Sequence, residues 1–196
     1  GVANTLARAN ISSKVVFNAV DVNFFKPVAI KRSGLLFVGR NVDRKGIDVI
    51  LKSAKANTDI LHRIVSNNIP RVIRNLSNVE VYENISRLKL LNLYQKSKAI
   101  VLPSKCGEGM PLVLLEALAC GTPAIVTKVT GNSELINSKV GKVIQNITAH
   151  KIKVAFKELE KHNLEKNCVM RARKFSLANL TKNISELYYA AYTRTI

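Results

Sequence analysis

The chain has 196 residues, 47% of them hydrophobic and 22% charged, a balance typical of a globular domain with a substantial core. It contains no apolar run long enough for a membrane-spanning helix, and its start lacks the residue order of a secretory signal. The formal net charge of +18 is spread over both halves, whereas a nucleic-acid-binding protein concentrates such an excess in an arm or on one face. We therefore do not expect a nucleic-acid partner. The charge suits phosphate-rich ligands or peripheral contact with an anionic membrane, and it equally suits solubility alone.

Short apolar runs alternate with segments of helical period through most of the chain. This alternation predicts one Rossmann-like α/β domain, with a parallel sheet of about six strands, helices on both faces and a helical C-terminal end. Ligands of such a sheet bind at the carboxyl ends of its strands. The predicted strands cover 35–39, 60–66, 79–82, 98–102, 124–127 and 142–144. The predicted helices cover 45–55, 70–75, 86–96, 111–119, 133–137, 148–162, 164–174 and 176–192.

The first predicted strand ends in the motif GRNVDRKG, from Gly39 to Gly46. Gly39 permits a tight turn, and Arg40 and Lys45 bracket the loop that follows the strand. A guanidinium and an ammonium in this place can clamp a diphosphate and neutralise the charge that grows on it as a leaving group. Taken alone, the motif is better explained as a solvated basic loop before an ordinary helix. It lacks the GxxxxGK[ST] pattern of a Walker A loop, which argues against P-loop chemistry.

The most informative window is residues 101–123, which read VLPSKCGEGMPLVLLEALACGTP. A strand, a glycine-bearing loop and a helix in succession direct backbone N–H groups toward an anionic ligand. Glu108 in the loop and Glu116 in the helix can accept hydrogen bonds from a polyhydroxylated ligand. A helical glutamate among apolar neighbours is costly unless it is paired, so we expect Glu116 toward the open end of the helix. The alternative is an ordinary core helix with a solvated or hydrogen-bonded Glu116.

Four segments, in order and at matching spacing, resemble the C-terminal, donor-binding domain of the retaining GT-B glycosyltransferases of family 4. They are NAVD with the following FKP at 18–27, GR-x4-KG at 39–46, LPS with EGMPLVLLEALACGTP at 102–123, and TGNSELI at 130–136. The E-x7-E spacing from Glu108 to Glu116 is that family's hallmark. The resemblance covers nearly the whole chain and implies half of a GT-B fold.

The resemblance implies a role for each matching residue. Arg40 and Lys45 correspond to the diphosphate-binding pair, Glu108 to the acid that contacts hydroxyls of the transferred sugar, and Glu116 to the acid that holds the nucleotide ribose. The catalytic residues would be Arg40, Lys45 and Glu108. No metal or other cofactor is expected, because the basic pair and a helix N-terminus carry the leaving-group charge. The other donor-binding residues would be Gly39, Ile85, Gly109, Met110, Pro111 and Leu112.

The family typically transfers a sugar, here expected to be a hexose, from a nucleoside diphosphate sugar with retention of configuration. Retention is usually explained by front-face attack, in which the leaving phosphate helps to deprotonate the acceptor. Three departures from the family pattern occur: Ala19 replaces a glycine, the 65–70 turn lacks glycine, and Met110-Pro111 replaces Phe-Gly. We expect the last of these to tune sugar choice.

The resemblance also predicts the domain organisation. Residues 1–27 would be a connector from an N-terminal domain, residues 28–175 the nucleotide-sugar-binding domain and residues 176–196 a crossover helix. The family's N-terminal domain holds the acceptor site, so we expect such a domain as a partner in cis or in trans and little activity without it. An alternative is a non-catalytic sugar-nucleotide-binding subunit of a split transferase, which would dock through Tyr188, Tyr189 and Tyr192. An epimerase of the same architecture fits poorly, because it would carry different acids in the cleft.

Three cysteines form no CxxC pair, which favours reduced thiols and a cytoplasmic location. They are Cys106, Cys120 and Cys168. The cysteines thus predict a cytoplasmic location, and the basic charge is compatible with peripheral contact at the inner face of a membrane without establishing it.

Overall fold

The computed structural model describes residues 13–40, 42–129 and 131–193. The outer parts of the predicted connector (1–12) and of the predicted crossover helix (194–196) lie outside the described residues. So do Asn41 of the first motif and Thr130 of the last.

The described residues form one parallel six-stranded sheet, which confirms the predicted fold class. The strand order is β3-β2-β1-β4-β5-β6. The chain therefore winds one way from β1 and the other way from β4, and the ends of these two strands form the switch point where ligands of doubly wound sheets bind. The strands are β1 (Ser33–Val38), β2 (His62–Val65), β3 (Val79–Tyr82), β4 (Ser97–Leu102), β5 (Ala124–Thr127) and β6 (Gly141–Ile144).

Eight α-helices connect and follow the strands in the described part of the chain. Their positions agree with the predicted helices to within two residues at most ends. They are α1 (Ile47–Ala56), α2 (Arg71–Arg74), α3 (Arg87–Lys96), α4 (Leu112–Ala119), α5 (Asn132–Leu135), α6 (Ala149–Glu160), α7 (Glu165–Arg173) and α8 (Leu177–Tyr192).

The predicted start of the first helix at residue 45 is wrong. Lys45 ends a separate 3₁₀ turn, Asp43–Lys45, and α1 begins after Gly46. Gly46 has a φ of 69°, a left-handed conformation that glycine adopts readily and that interrupts the helix. Lys45 is therefore a loop residue, held apart from the helix that follows it.

The core has two layers, one on each face of the sheet. Leu36 and Ile100 point to the face covered by α3, α4 and α7, whereas Leu35 and Val101 point to the face covered by α1, α2 and α6. Side chains of β1 and β4 are buried on both faces, as expected for central strands of a parallel sheet. These two strands form a rigid base for the loops at their carboxyl ends.

Helix α8 stands apart from this core. None of its residues is buried, and Tyr188, Tyr189 and Tyr192 are 76%, 73% and 68% exposed. Its start is fastened to the segment before β1, because Val20 N–H donates to the Phe175 carbonyl at 2.8 Å and Val20 forms a bridge with Ser176. Across the described ranges, no helix has both the length and the apolar character needed to cross a membrane.

Candidate functional site

The two motifs meet at the switch point between β1 and β4 through a salt bridge. Lys45 Nζ donates to both carboxylate oxygens of Glu108, at 2.7 Å to Oε1 and 2.8 Å to Oε2. Ser104 Oγ donates to Glu108 Oε1 at 2.9 Å. The side chains of Lys45 and Glu108 are 23% and 12% exposed, so the pair is partly screened from water while remaining open to a ligand. A basic group and an acidic group are thus held side by side at the expected ligand edge.

Close backbone packing brings the two loops together. A Cβ added to Gly46 would lie 2.0 Å from the Pro103 carbonyl oxygen, so a glycine is required where the loop after β1 crosses the loop after β4. Beside this crossing, Lys105 N–H donates to the Arg44 carbonyl at 2.9 Å. These contacts explain why Lys45 lies next to Glu108 although the two are far apart in sequence.

Glu116 lies in the middle of α4, not toward an open helix end. Tyr94 of α3 donates its hydroxyl to Glu116 Oε2 at 2.8 Å, and Tyr94 is fully buried. A helical glutamate among apolar neighbours needs a partner, and the structure supplies one from the neighbouring helix. One carboxylate oxygen is thereby fixed, and Glu116 remains half-buried.

The surroundings of Glu116 disfavour its charge. Burial raises the pKa of Glu116, while the Tyr94 hydrogen bond and the positive charge of Arg87 oppose that rise. Burial, together with the carboxylate, raises the pKa of Tyr94 well above its usual value, so its hydroxyl remains a donor at neutral pH. Burial also raises the pKa of the neighbouring Cys120 thiol to about 12, which keeps that thiol neutral.

The loop from Gly109 to Leu112 leads into the N-terminus of α4. Pro111 occupies the N-cap position and provides no side-chain cap, so the amides of Leu112 and Val113 have no capping partner, whereas the Leu114 amide donates to the Pro111 carbonyl at 3.1 Å. Asn18, in the segment before β1, donates its side-chain N–H to the Met110 carbonyl at 2.8 Å. Gly109 and Leu112 are exposed. The loop is therefore anchored at Met110, while the helix end beyond it is directed at solvent.

A third loop packs against the Glu108 loop from the other side. Gly131, with a φ of 89°, lies so close that an added Cβ would be 1.8 Å from the Gly109 carbonyl oxygen and 2.4 Å from that of Glu108. The next residue, Asn132, is fully buried, and neither polar atom of its side chain has a hydrogen-bond partner among the described residues. The Glu108 loop is thus held between Gly46 and Gly131.

Gly131→Ala is expected to lower the free energy of unfolding by about 2 kcal/mol or more, because the methyl group meets two backbone carbonyls and the left-handed φ is strained for alanine. Urea-induced unfolding measures the change. Gly109→Ala is the matched control, since nothing lies within 4 Å of its added Cβ, and its stability should stay within about 0.5 kcal/mol of the parent. Equal losses in the two variants would contradict the packing argument.

Comparison with known proteins identifies the family. The family model described as Glycosyl transferases group 1 matches residues 23–175, most of the chain. This chain belongs to the group 1 glycosyltransferases. An uncharacterized glycosyltransferase of Methanocaldococcus jannaschii is 27% identical over 135 residues, which cover 64% of this chain and 34% of the relative. One subunit of the phosphatidylinositol N-acetylglucosaminyltransferase of Arabidopsis thaliana is 26% identical over 151 residues, which cover 68% of this chain and 34% of that protein.

Solved structures share the fold of this group 1 domain. Sucrose-phosphate synthase from Thermosynechococcus elongatus superposes with a TM-score of 0.81 at 22% identity, over 97% of this chain and 56% of that one. The Anabaena protein HepE, solved in complex with UDP-glucose, superposes with a TM-score of 0.77 at 16% identity, over 95% of this chain and 61% of HepE. The chain thus spans about a third of the length of these curated relatives and somewhat over half of these solved chains. It has the fold of a GT-B C-terminal domain.

The group 1 domain brings some of the predicted site residues together and leaves others apart. Lys45 and Glu108 are in direct contact, and Glu116 lies on the helix that follows Glu108. Arg40 is exposed at the end of β1, and its side chain has no hydrogen bond or ion pair within the described ranges. Ile85 is half-buried and packs against the core beside α3 and α4. The donor-binding roles of all these residues remain predictions.

Three side chains of the site were not anticipated from the sequence. Ser104 lies in the LPS segment, where a hydroxyl just after a strand end is a usable signal. Asn18 belongs to the NAVD segment and had no assigned contact. Tyr94 lies within the helix predicted over 86–96, and nothing in its local sequence indicates its hydrogen bond to Glu116.

The described residues contain no group of three or more His, Cys, Asp or Glu side chains arranged to hold a metal ion. The charged side chains predicted for the site of this group 1 domain are two basic groups and two carboxylates. They are Arg40, Lys45, Glu108 and Glu116.

Proposed function

We propose that this chain is the donor-binding domain of a retaining glycosyltransferase, which transfers a hexose from a nucleoside diphosphate sugar to an acceptor. The observation that carries the proposal is the contact between Lys45 and Glu108 at the switch point, beside the N-terminus of α4. The cation and the helix N-terminus suit the diphosphate of such a ligand, and the Glu108 carboxylate suits the hydroxyls of its sugar. The second carboxylate, Glu116, suits the hydroxyls of the ribose.

In this proposal Arg40 and Lys45 bind the diphosphate. The amides at the start of α4 add donors to the same phosphate oxygens, while Gly39 lets the backbone approach closely. Glu108 accepts hydroxyls of the sugar, Glu116 accepts hydroxyls of the ribose, and Ile85 packs against the base. When the bond between the anomeric carbon and the phosphate oxygen breaks, the electron pair moves to that oxygen. Arg40 and Lys45 stabilise the resulting charge.

Retention follows if the acceptor attacks from the face that the diphosphate leaves. The acceptor hydroxyl then passes its proton to the leaving phosphate oxygen, and neither Glu108 nor Glu116 needs to act as a general base. The complex of HepE with UDP-glucose supports a nucleotide sugar as the ligand of this fold. The chemistry we propose therefore requires donor binding by this chain and an acceptor supplied elsewhere.

The acceptor side is proposed to come from an N-terminal domain, in cis or in trans. Helix α8 supports such a partner, because it has no buried residue and exposes three tyrosines. The same observation favours the second candidate, a non-catalytic sugar-nucleotide-binding subunit that docks through α8. Size-exclusion chromatography with a separately produced N-terminal half tests the docking, and Tyr188→Ser should weaken co-elution.

We also propose a cytoplasmic location with peripheral contact to anionic lipids, on the basis of the +18 charge. Sedimentation with anionic vesicles tests this contact.

The donor proposal predicts thermal stabilisation by a matching nucleotide sugar. A panel of UDP-, GDP- and ADP-sugars at millimolar concentration should include one that raises the Tm by about 5–10 °C, the shift expected at roughly 100 times its Kd. Lys45→Met should abolish most of that shift. Lys139→Met is the matched control, because Lys139 is exposed at the amino end of β6, on the opposite edge of the sheet. If no nucleoside diphosphate sugar raises the Tm, the proposed function is wrong.

A further inference from the structure

The Lys45–Glu108 pair uses most of the hydrogen-bonding capacity of both groups. A carboxylate has about four acceptor positions, of which the two Lys45 contacts and the Ser104 hydroxyl occupy three. An ammonium has three donors, of which two point at Glu108. The charge of Lys45 is therefore neutralised by Glu108 in the structure, and Glu108 has room for about one more donor.

A diphosphate without a sugar would bind beside a Lys45 whose charge is already neutralised by Glu108. It has no hydroxyl near Glu108 that would replace Lys45 as the donor, so it competes with a fixed carboxylate for the same ammonium. It also places its own negative charge beside that of Glu108, a repulsion that is strengthened where the pair is partly shielded from water. Lys45 therefore contributes little to the affinity of the site for a bare diphosphate.

A sugar-bearing diphosphate can satisfy both Lys45 and Glu108. Its sugar hydroxyls donate to Glu108 and take over the acceptor positions that Lys45 occupied. Lys45 is then free to donate hydrogen bonds to the diphosphate and to neutralise part of its charge. One ligand satisfies both halves of the pair, so recognition of the sugar and retention of the diphosphate become coupled.

We propose that Glu108 is a specificity residue that makes the site prefer a sugar-bearing diphosphate over a bare diphosphate, by holding Lys45 whenever no sugar is present. After transfer the sugar leaves with the acceptor, and Glu108 regains Lys45. The spent nucleoside diphosphate loses a cation at that point and dissociates more easily. The inference rests on the proposed function and adds to it a cause for donor selectivity and for product release.

The test is isothermal titration calorimetry at low ionic strength with inorganic pyrophosphate, which requires no knowledge of the base or sugar. Glu108→Gln keeps the shape of the side chain and an acceptor for Ser104, but it frees the charge of Lys45. We expect this variant to bind pyrophosphate about tenfold more tightly than the parent chain. The nucleotide sugar selected from the thermal panel should bind Glu108→Gln more weakly than the parent, so the preference for the sugar-bearing ligand falls.

Two further variants separate release of Lys45 from the general loss of a negative charge. Asp43→Asn removes a carboxylate from the same loop, where Asp43 pairs with Lys105, and Lys105 keeps a second partner in Asp48 at 3.0 Å. We expect the pyrophosphate affinity of Asp43→Asn to stay within about twofold of the parent. In a Lys45→Met background, adding Glu108→Gln should also change pyrophosphate binding by less than about twofold, because no lysine is left to release.

The possible outcomes have separate meanings. If Glu108→Gln leaves pyrophosphate affinity unchanged or lowers it, or if Asp43→Asn raises it equally, the inference is wrong while donor binding can still stand. If neither pyrophosphate nor any nucleotide sugar binds the parent chain, the proposed function fails and this inference fails with it. A tenfold gain confined to Glu108→Gln, and absent without Lys45, supports the exchange.

Discussion

Glu116→Gln is expected to weaken nucleoside diphosphate binding by about 10- to 100-fold while leaving pyrophosphate binding nearly unchanged. A hydrogen bond to a charged group contributes about 1.5–3 kcal/mol, and glutamine replaces one accepting oxygen with an NH₂ group that cannot accept from a ribose hydroxyl. Pyrophosphate has no ribose, so it does not reach the proposed Glu116 contact. The difference between the two affinities, measured by calorimetry, isolates the ribose contribution.

The fold of this variant should be preserved, since the glutamine carbonyl can still accept from Tyr94, whose hydroxyl lies 2.8 Å from Glu116. Urea unfolding checks this point directly. An equal loss of nucleotide and pyrophosphate affinity would place Glu116 at the phosphates or indicate damage to α4, and it would remove the ribose assignment. An unchanged nucleotide affinity would show that Glu116 is only a structural partner of Tyr94.

The sequence predicts most of this fold because the strands are short apolar runs with clear ends. The strands β3 and β5 have the predicted bounds, Val79–Tyr82 and Ala124–Thr127. Both are followed within a few residues by polar or glycine-containing segments, and such breaks in apolar patterning are visible locally. The parallel order follows from the alternation with helices, which leaves few other arrangements.

The start of α1 was mispredicted because its cause is not local. The helical period continues through Lys45, and a glycine within such a pattern lowers helix propensity without necessarily ending the helix. The left-handed turn at Gly46 follows from its close approach to the Pro103 carbonyl, a contact between two loops far apart in the chain. This helix boundary matters for the site, because Lys45 contacts Glu108 from the loop that precedes α1.

The sequence predicts which residues belong to the candidate site, but it does not predict which side chains contact them. The motifs and their resemblance to family 4 predict Lys45, Glu108 and Glu116 as site residues. The partners of these residues could not be read in the same way. Ser104 acts on Glu108, and Tyr94 acts on Glu116 through the packing of α3 against α4, which no local pattern encodes. The electrostatic state of both carboxylates therefore emerges only with the tertiary structure.

Tyr94→Phe is expected to make nucleotide binding fail at a higher pH than in the parent chain. Ribose recognition needs the ionised Glu116, whose pKa burial raises above the ordinary value of 4.5 while Tyr94 and Arg87 act against that rise. Removal of the hydroxyl takes away one of the two opposing effects, so the pKa of Glu116 rises further. Nucleotide affinity measured across pH 4–8 should therefore show an acid limb displaced to higher pH.

The stability of Tyr94→Phe should depend on pH in the same sense. Above the pKa of Glu116 the variant leaves a half-buried carboxylate without its donor, a loss of about 1–3 kcal/mol. As the pH falls through that pKa the carboxylate becomes neutral, so the difference in unfolding free energy between variant and parent should shrink. The charged and titratable groups acting on Glu116 are Tyr94 and Arg87 of α3 and Cys120 one turn along, and Cys120 stays neutral with a pKa of about 12.

Two controls decide whether the acid limb belongs to Glu116. In a Glu116→Gln background the Tyr94→Phe change should leave the remaining pH profile of nucleotide binding in place, because the titrating group is gone. Tyr189→Phe removes a hydroxyl from a 73% exposed position on α8 and should move neither the profile nor the stability. If Tyr94→Phe lowers stability equally at every pH and leaves the acid limb where it was, Tyr94 supports only the packing of α3 on α4. A displaced limb that disappears with Glu116 instead identifies Tyr94 as the residue that keeps this carboxylate charged, because a purely structural role would not move it.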